Sequence, residues 1–318
     1  MEKAYINSMM EKPLYYSLNQ FLKEKFGEKV KKIPLDAGFT CPNRDGTKGK
    51  GGCIYCDAKG SGTGLGQSLS IKEQIEFFME RFKKRGFKKF IAYFQSFSNT
   101  YGPPPKLRER YRQILNYPEI VGLAIGTRPD CISLEVVELL EEFQHLGYYI
   151  WVELGLQSKH NQTLKFINRG HTFEDFLEAF ILLKRKEIPV VVHVIFGLPG
   201  ETEEMMLDTI KTLSELKPDG IKFHALYILE GTPLGELYKR GEVKELSLEE
   251  YASLVGKALS FLPSDTVVHR LTSDPPKEGL IAPLWLLNKN QVLKYITDYM
   301  RENQLYQGKF YQNSILNS

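Results

Sequence analysis

The feature that limits the fold most is a pair of patterns that recurs along the chain: a short run apolar at nearly every position, then a longer amphipathic stretch. Runs such as VGLAIG at 121–126 and VVVHVIF at 190–196 show almost no apolar–polar alternation. A strand reads this way when both faces of its sheet are covered. Strands are expected near Lys32–Leu35, Lys89–Phe94, Gly122–Thr127, Tyr149–Leu154, Val190–Phe196 and Ile221–Tyr227. Amphipathic helices are expected over Ile71–Arg85, Ser133–Gly147, Thr172–Lys186 and Thr202–Leu216. Ser70, Ser133 and Thr172 stand as capping-type residues at three of the helix starts. Such alternation implies parallel strands joined by right-handed crossovers. Six units point to an α/β fold of the partial (β/α)6 TIM-type barrel, with an open doubly wound sheet as the structural alternative. In either, the residues that follow the strands gather at one end, where ligands bind. The expected organisation is an N-terminal helical extension over 1–28, a barrel over 29–240, and an α/β C-terminal extension over 241–318 packing on it.

A chain of 318 residues, 42% of them hydrophobic, can build one large domain or two ordinary ones. No apolar run approaches the roughly 18 residues of a membrane span, and charges enter the N-terminus early, unlike a signal peptide. The chain therefore reads as cytoplasmic, with no membrane partner. Lys+Arg 42 against Asp+Glu 39 leaves +3, which neither demands nor excludes nucleic acid. The basic groups Lys29–Lys32 and Arg81–Arg85 read as solvated element ends. In a reducing compartment, four cysteines serve as ligands or buried thiols rather than disulfides.

Three of those cysteines share one loop after the first expected strand, FTCPNRDGTKGKGGCIYCDAKGSG. Eleven residues separate Cys41 from Cys53, and two separate Cys53 from Cys56. A C-x-x-C pair puts two thiolates on one turn, and a third cysteine from the same loop completes three corners of a metal centre. Glycines at 46, 49, 51 and 52 let the backbone fold back tightly. A structural zinc site closes with four protein ligands, and this loop holds neither a fourth cysteine nor a histidine. Three thiolates leave an open corner for chemistry, although zinc completed from elsewhere stays in play. Cys131, after the third strand, reads as a buried thiol, with fourth ligand or reactive thiol as alternatives.

With these cysteines and three further blocks, GTRPD at 126–130, VELGLQSKHNQTLKFINRGH at 152–171 and VHVIFGLPGET at 192–202, the sequence resembles the radical S-adenosylmethionine superfamily. The blocks are similar to those of the Elongator catalytic subunit and the oxygen-independent coproporphyrinogen oxidases. The usual spacing there is C-x-x-x-C-x-x-C, and the longer first gap here is similar to that of a bacterial branch. The resemblance implies a 4Fe–4S cluster on Cys41, Cys53 and Cys56, with S-adenosylmethionine at the open iron. It implies that Arg169 neutralises the cofactor carboxylate, that Gln157 lies near the ribose and methionine part, and that His193 faces the ribose hydroxyls. It also places Arg128 of GTRPD at the cofactor, and Gly197 and Pro199 against the adenine edge. Where relatives carry Gly-Gly-Glu, this chain has Gln95-Ser96-Phe97-Ser98, so amide and hydroxyl oxygens replace the acid. Read on their own residues, Arg169 also suits a helix-end cation and His193 a core histidine.

The implied chemistry is reductive cleavage of S-adenosylmethionine to a 5′-deoxyadenosyl radical, with electrons from a donor such as a flavodoxin or ferredoxin. Likeness to Elongator-type enzymes points to tRNA, at a wobble uridine. A small metabolite or porphyrin-like substrate is the alternative, as is a zinc-dependent barrel that binds nucleic acid without radical chemistry. His269, Arg270 and Asp274 lie on a polar block at 267–276 that either meets substrate across the barrel mouth or merely caps it. Tail aromatics, Tyr295 to Tyr311, interleave with basic residues and suit packing or RNA stacking.

Overall fold

Both-face burial requires that alternate side chains of each strand find apolar cover on opposite sides of one sheet. In the computed structural model, which describes residues 13–57, 60 and 65–311, that sheet has seven parallel strands. They are β1 (Val30–Leu35), β2 (Lys89–Phe94), β3 (Ile120–Thr127), β4 (Tyr149–Gln157), β5 (Val190–Phe196), β6 (Gly220–Ala225) and β8 (Val267–Arg270), in that spatial order. A short antiparallel pair, β7 (Ile228–Leu229) with β9 (Leu280–Ala282), stands apart. The sheet curls into an open half-barrel. All six strands expected from the sequence are present. The seventh comes from the expected C-terminal extension, where Gly220 and Ile221 of β6 pair with Val267 and Val268. Its inward side begins apolar at Val267 and turns polar at His269, and the sequence offers it only as part of a block that meets substrate or caps the barrel.

The chain order of the helices is α1 (Leu18–Phe26), α2 (Ile71–Lys83), α3 (Pro104–Arg112), α4 (Leu134–His145), α5 (Asn161–Phe166), α6 (Phe173–Arg185), α7 (Glu203–Leu216), α8 (Pro233–Lys239), α9 (Leu248–Phe261) and α10 (Lys289–Glu302). Capping is explicit. Ser70 and Glu73 form a reciprocal box at α2, as do Thr172 and Asp175 at α6 and Ser247 and Glu250 at α9. No described helix is long and apolar enough to cross a membrane.

Period two sorts the strands into layers. On β4, Ile150, Val152, Leu154 and Leu156 face the outer helices in the main core, whereas Trp151 belongs to an inner cluster. Val190, Val192, Val194 and Phe196 of β5 likewise face outward and Val191 inward. The inner cluster closes one end of the half-barrel, with Leu18 and Leu22 of α1 set against Val30, Ile91, Ala124, Trp151, Val191 and Val267. The helical extension expected at 1–28 is thus a plug, as far as its described part goes; residues 1–12 lie outside it. Just ahead of α1, the amide of Val268 donates to Tyr16 O at 2.8 Å, and Ser17 bridges to the same strand. That contact covers the edge β8 would otherwise expose.

Candidate active site

Above the plug, the inward positions turn polar. Lys32 on β1, Tyr93 on β2, Glu153 on β4, His193 on β5 and Lys222 on β6 meet within the half-barrel. Glu153 is 1% exposed, so its charge must be met by protein. Its Oε1 accepts from Lys32 Nζ at 3.2 Å and from Trp151 Nε1 at 3.0 Å. Its Oε2 accepts from Lys222 Nζ and from His193 Nε2, the latter at 3.0 Å. A carboxylate only accepts, so this bond places the His193 proton on Nε2. Lys222 Nζ also donates to the Tyr93 hydroxyl at 3.0 Å. Burial opposes the Glu153 charge, but Lys222, Lys32 and His193 hold the carboxyl well below its usual range. Burial, with Lys222 nearby, takes His193 down to about 4, so its imidazole is neutral. His224 stacks on it at 5.3 Å and is held neutral by burial, its Nε2 without a protein partner.

This polar belt forms one side of a cavity of about 230 Å³, and the cysteine loop forms the other. Cys41, Cys53 and Cys56 all line it. The loop is fastened to the segment after α5. Asn43 Nδ2 donates to Asn168 O at 2.6 Å, Asn168 Nδ2 to Gly52 O at 2.7 Å, and the Ile54 amide to Ile167 O at 3.1 Å. Asn43 fits because two glycines flank it: a Cβ would stand 2.3 Å from its Oδ1 at Gly49 and 2.8 Å at Gly170. Arg44 ties down the other end by donating to the carbonyls of Cys56 and Asp57. Burial pushes the Cys56 thiol up to about 11, with Arg44 pulling the other way. A bound metal would deprotonate such a thiol outright. All four cysteines are free.

Of the residues expected at a cofactor or substrate, Gln95, Arg128, Gln157, Arg169, His193, Arg270 and Asp274 line the same cavity. Gln157 sits where the β4–β5 register shifts, at a φ of 75°, a conformation that turns its side chain out of the strand's alternation. Arg128 is buried, clasped by Asp130 and donating through Nη1 to Arg169 O at 2.7 Å. Arg270 pairs with Asp274 at 3.2 Å, and Lys289 reaches the same carboxylate at 2.8 Å. Four expected residues are not in the lining. Ser96 is buried one position past Gln95 in the chain. Gly197 serves the turn after β5 with a φ of 88°, its amide directed at Met206 Sδ, and Pro199 follows Leu198, which packs in an apolar cluster. His269 turns inward on β8 and meets Trp151 edge-on at 5.4 Å, beneath the cavity. Cys131 is buried outside the lining, its thiol pushed up to about 12 by burial and then by Asp130. Among the described residues, no three Cys, His, Asp or Glu side chains close around a single-ion site.

Sequence reasoning missed Lys32, Tyr93 and Lys222 as site residues. Lys32 corrects a specific expectation. The basic group 29–32 reads as a solvated strand end, yet Lys32 turns inward to Glu153 and lies over the Tyr93 ring at 4.4 Å. The usable signal was period two inside seemingly apolar runs. GIKFHA and VVVHVIF each place their polar residues on the inward face.

The class this geometry defines is an α/β half-barrel enzyme with three thiols and a buried polar belt around one cavity. Residues 41–213 match the Radical SAM superfamily, and residues 218–302 match the Radical_SAM C-terminal domain. The chain is 43% identical to the uncharacterized protein YtqA of Bacillus subtilis, over 94% of this chain and 93% of that one. It is 38% identical to the tRNA uridine(34) acetyltransferase of Methanocaldococcus jannaschii, over 51% of this chain but 30% of that protein. The structure of Elp3 from Methanocaldococcus infernus superposes with a TM-score of 0.66 at 23% identity, covering 87% of this chain and 64% of that one. The chain belongs to the radical SAM superfamily of enzymes.

Proposed function

We propose that Cys41, Cys53 and Cys56 hold a 4Fe–4S cluster, that S-adenosylmethionine occupies the rest of the cavity, and that the enzyme modifies a uridine of tRNA. The observation that carries the cofactor reading is that all three thiols face one cavity, with cationic and polar side chains opposite. The donor set suits the group, since three thiol sulfurs would leave one iron of a four-iron cluster open. When bound, the cluster supplies one electron that cleaves S-adenosylmethionine to a 5′-deoxyadenosyl radical.

The residues around it have separable tasks. Arg44 and Asn43 order the loop. His193, neutral and fixed by Glu153, presents its ring at the cavity as a hydrogen-bonding surface for a ribose. Gln157 and Gln95 offer amide groups. The inner apolar cluster seals the floor and excludes water from a radical that must not be quenched. The tRNA part rests on the likeness to the tRNA uridine(34) acetyltransferase, whose match covers half of this chain. A one-electron protein donor, of the flavodoxin or ferredoxin kind, and a reducing cytoplasm accord with four free thiols.

Anaerobic reconstitution tests the cofactor half. Roughly four irons and four sulfides per chain, with 5′-deoxyadenosine released on reduction, are expected; a colourless protein binding one zinc would refute it. The substrate half is tested by comparing modified nucleosides in bulk tRNA from cells with and without the gene. An unchanged profile would favour a small-molecule substrate instead.

A further inference from the structure

The resemblance gives Arg169 to the cofactor carboxylate, and three of its five N–H donors are also engaged within the protein. Nε donates to His171 Nε2 at 3.0 Å, Nη2 to Gly155 O at 2.7 Å, and Nη1 to Cys53 Sγ at 3.6 Å. The fit is tight. A Cβ at Gly155 would stand 2.5 Å from Nη2, so the absence of a side chain there makes the niche. The residue is 8% exposed, which keeps water from screening its charge. A second donor addresses the same sulfur, with Asn43 Nδ2 at 3.9 Å from Cys53 Sγ.

We propose that Arg169, assisted by Asn43, is a positioning residue for the Cys53 corner, and that its charge sets the potential at which a cluster held there accepts an electron. This rests on the cluster reading above. Reduction adds negative charge to the cluster and its sulfurs, so a buried cation and N–H donors at one ligand favour the reduced state. Cys53 is then electronically distinct from the other two corners. Asn43 acts twice, once on the sulfur and once through Asn168, so it couples the loop's fold to the potential.

The test is an EPR-monitored redox titration of anaerobically reconstituted full-length protein without S-adenosylmethionine, beside calorimetric titration of that compound. Wild type is compared with Arg169→Lys, Arg169→Gln and Asn43→Ala. The expected result is a midpoint potential moved to more negative values in Arg169→Gln, with Arg169→Lys intermediate because it keeps the charge. Asn43→Ala moves the same way by less. Potentials equal to wild type in all variants, with cofactor affinity lost only at position 169, would return Arg169 to the carboxylate and overturn the proposal. If an Arg169 variant takes up no iron, Asn43→Ala decides, since an unchanged potential there is equally contrary. Wild type that takes up no iron and sulfide overturns the cluster reading and this inference together. A wild-type cluster with unshifted variants overturns the inference alone.

Discussion

Replacing Glu153 with Gln removes one charge and almost no volume, and the consequence can be worked from its partners. The carboxylate accepts from Lys32, Lys222, His193 and Trp151 and is 1% exposed. An amide keeps one acceptor oxygen and turns an N–H₂ toward an ammonium. Removing one partner of a buried pair costs about 3–5 kcal/mol, because the other charge is left uncompensated. Unfolding entropy of ~2.1 cal/mol/K per residue over 318 residues makes that a fall in Tm of about 4.5–7.5 °C. The pH dependence follows from the lysines. Burial already holds Lys222 well below its ordinary value, with Glu153 opposing that shift and Lys32 adding to it. Without Glu153, Lys222 folds as a neutral amine while the unfolded chain stays protonated to about pH 10.4. The unfolded state then binds more protons, so the variant gains stability as pH rises from 7 toward 10, by up to about 1.4 kcal/mol per pH unit. In wild type Glu153 opposes that depression, so Lys222 keeps its proton to a higher pH and the same gain begins later than in the variant. The wild-type Glu153 contribution is complete above the unfolded carboxyl value and is lost only as acid titrates the folded carboxylate, far below neutrality. Calorimetric scans of the metal-free protein at pH 7 and pH 9 measure both effects. A Tm within 2 °C of wild type (well under the ~4.5 °C expected), with parallel pH profiles, would show that Glu153 is not the counter-ion of the belt.

Cys53→Ala should abolish the iron–sulfur absorption and 5′-deoxyadenosine release, whereas Cys131→Ala, outside the cavity lining, should retain iron and sulfide near the wild-type content. Loss of iron in Cys131→Ala would make it a ligand and rule out the open corner. At Gly122, an added Cβ would stand 2.2 Å from Tyr149 O and 2.9 Å from Ile91 Cδ1. Gly122→Ala should therefore wedge β3 from β4 and destabilise by about 2–3 kcal/mol in chemical denaturation, with an unchanged midpoint as the contrary result.

The barrel was legible because its outward residues are uniformly apolar and its helices begin with caps. VVVHVIF and YIWVELGLQ carry that signal whatever faces inward. The belt was much less so. Lys32, Tyr93 and Lys222 come from three strands far apart in the chain, and each alone passes for a strand end or a core polar residue. Only the curl of the sheet brings them to one carboxylate. β8 was noticed only as a stretch that meets substrate or caps the barrel, and its place in the main sheet was hidden for a related reason, since half of VVHR carries polar side chains toward the interior. The three cysteines were visible from the start, but the clasp that orders them was not. It consists of side-chain bonds to backbone oxygens between residues 43–54 and 167–169, which leave no periodic trace.

That clasp has a consequence for how relatives diverge. Cys53 is located by Asn168, Ile167 and Arg169, which belong to another part of the barrel, and not by its distance along the chain from Cys41. Of the eleven residues between the two thiols, Asn43, Arg44 and Gly52 carry the clasp, so only the turn at 45–48 is left to change in length while the corners stay in place. Searches keyed to ligand spacing would overlook such lineages. A signature built on an asparagine after the first cysteine and an Asn-Arg-Gly-His segment more than a hundred residues later would instead follow the contacts that locate the corner.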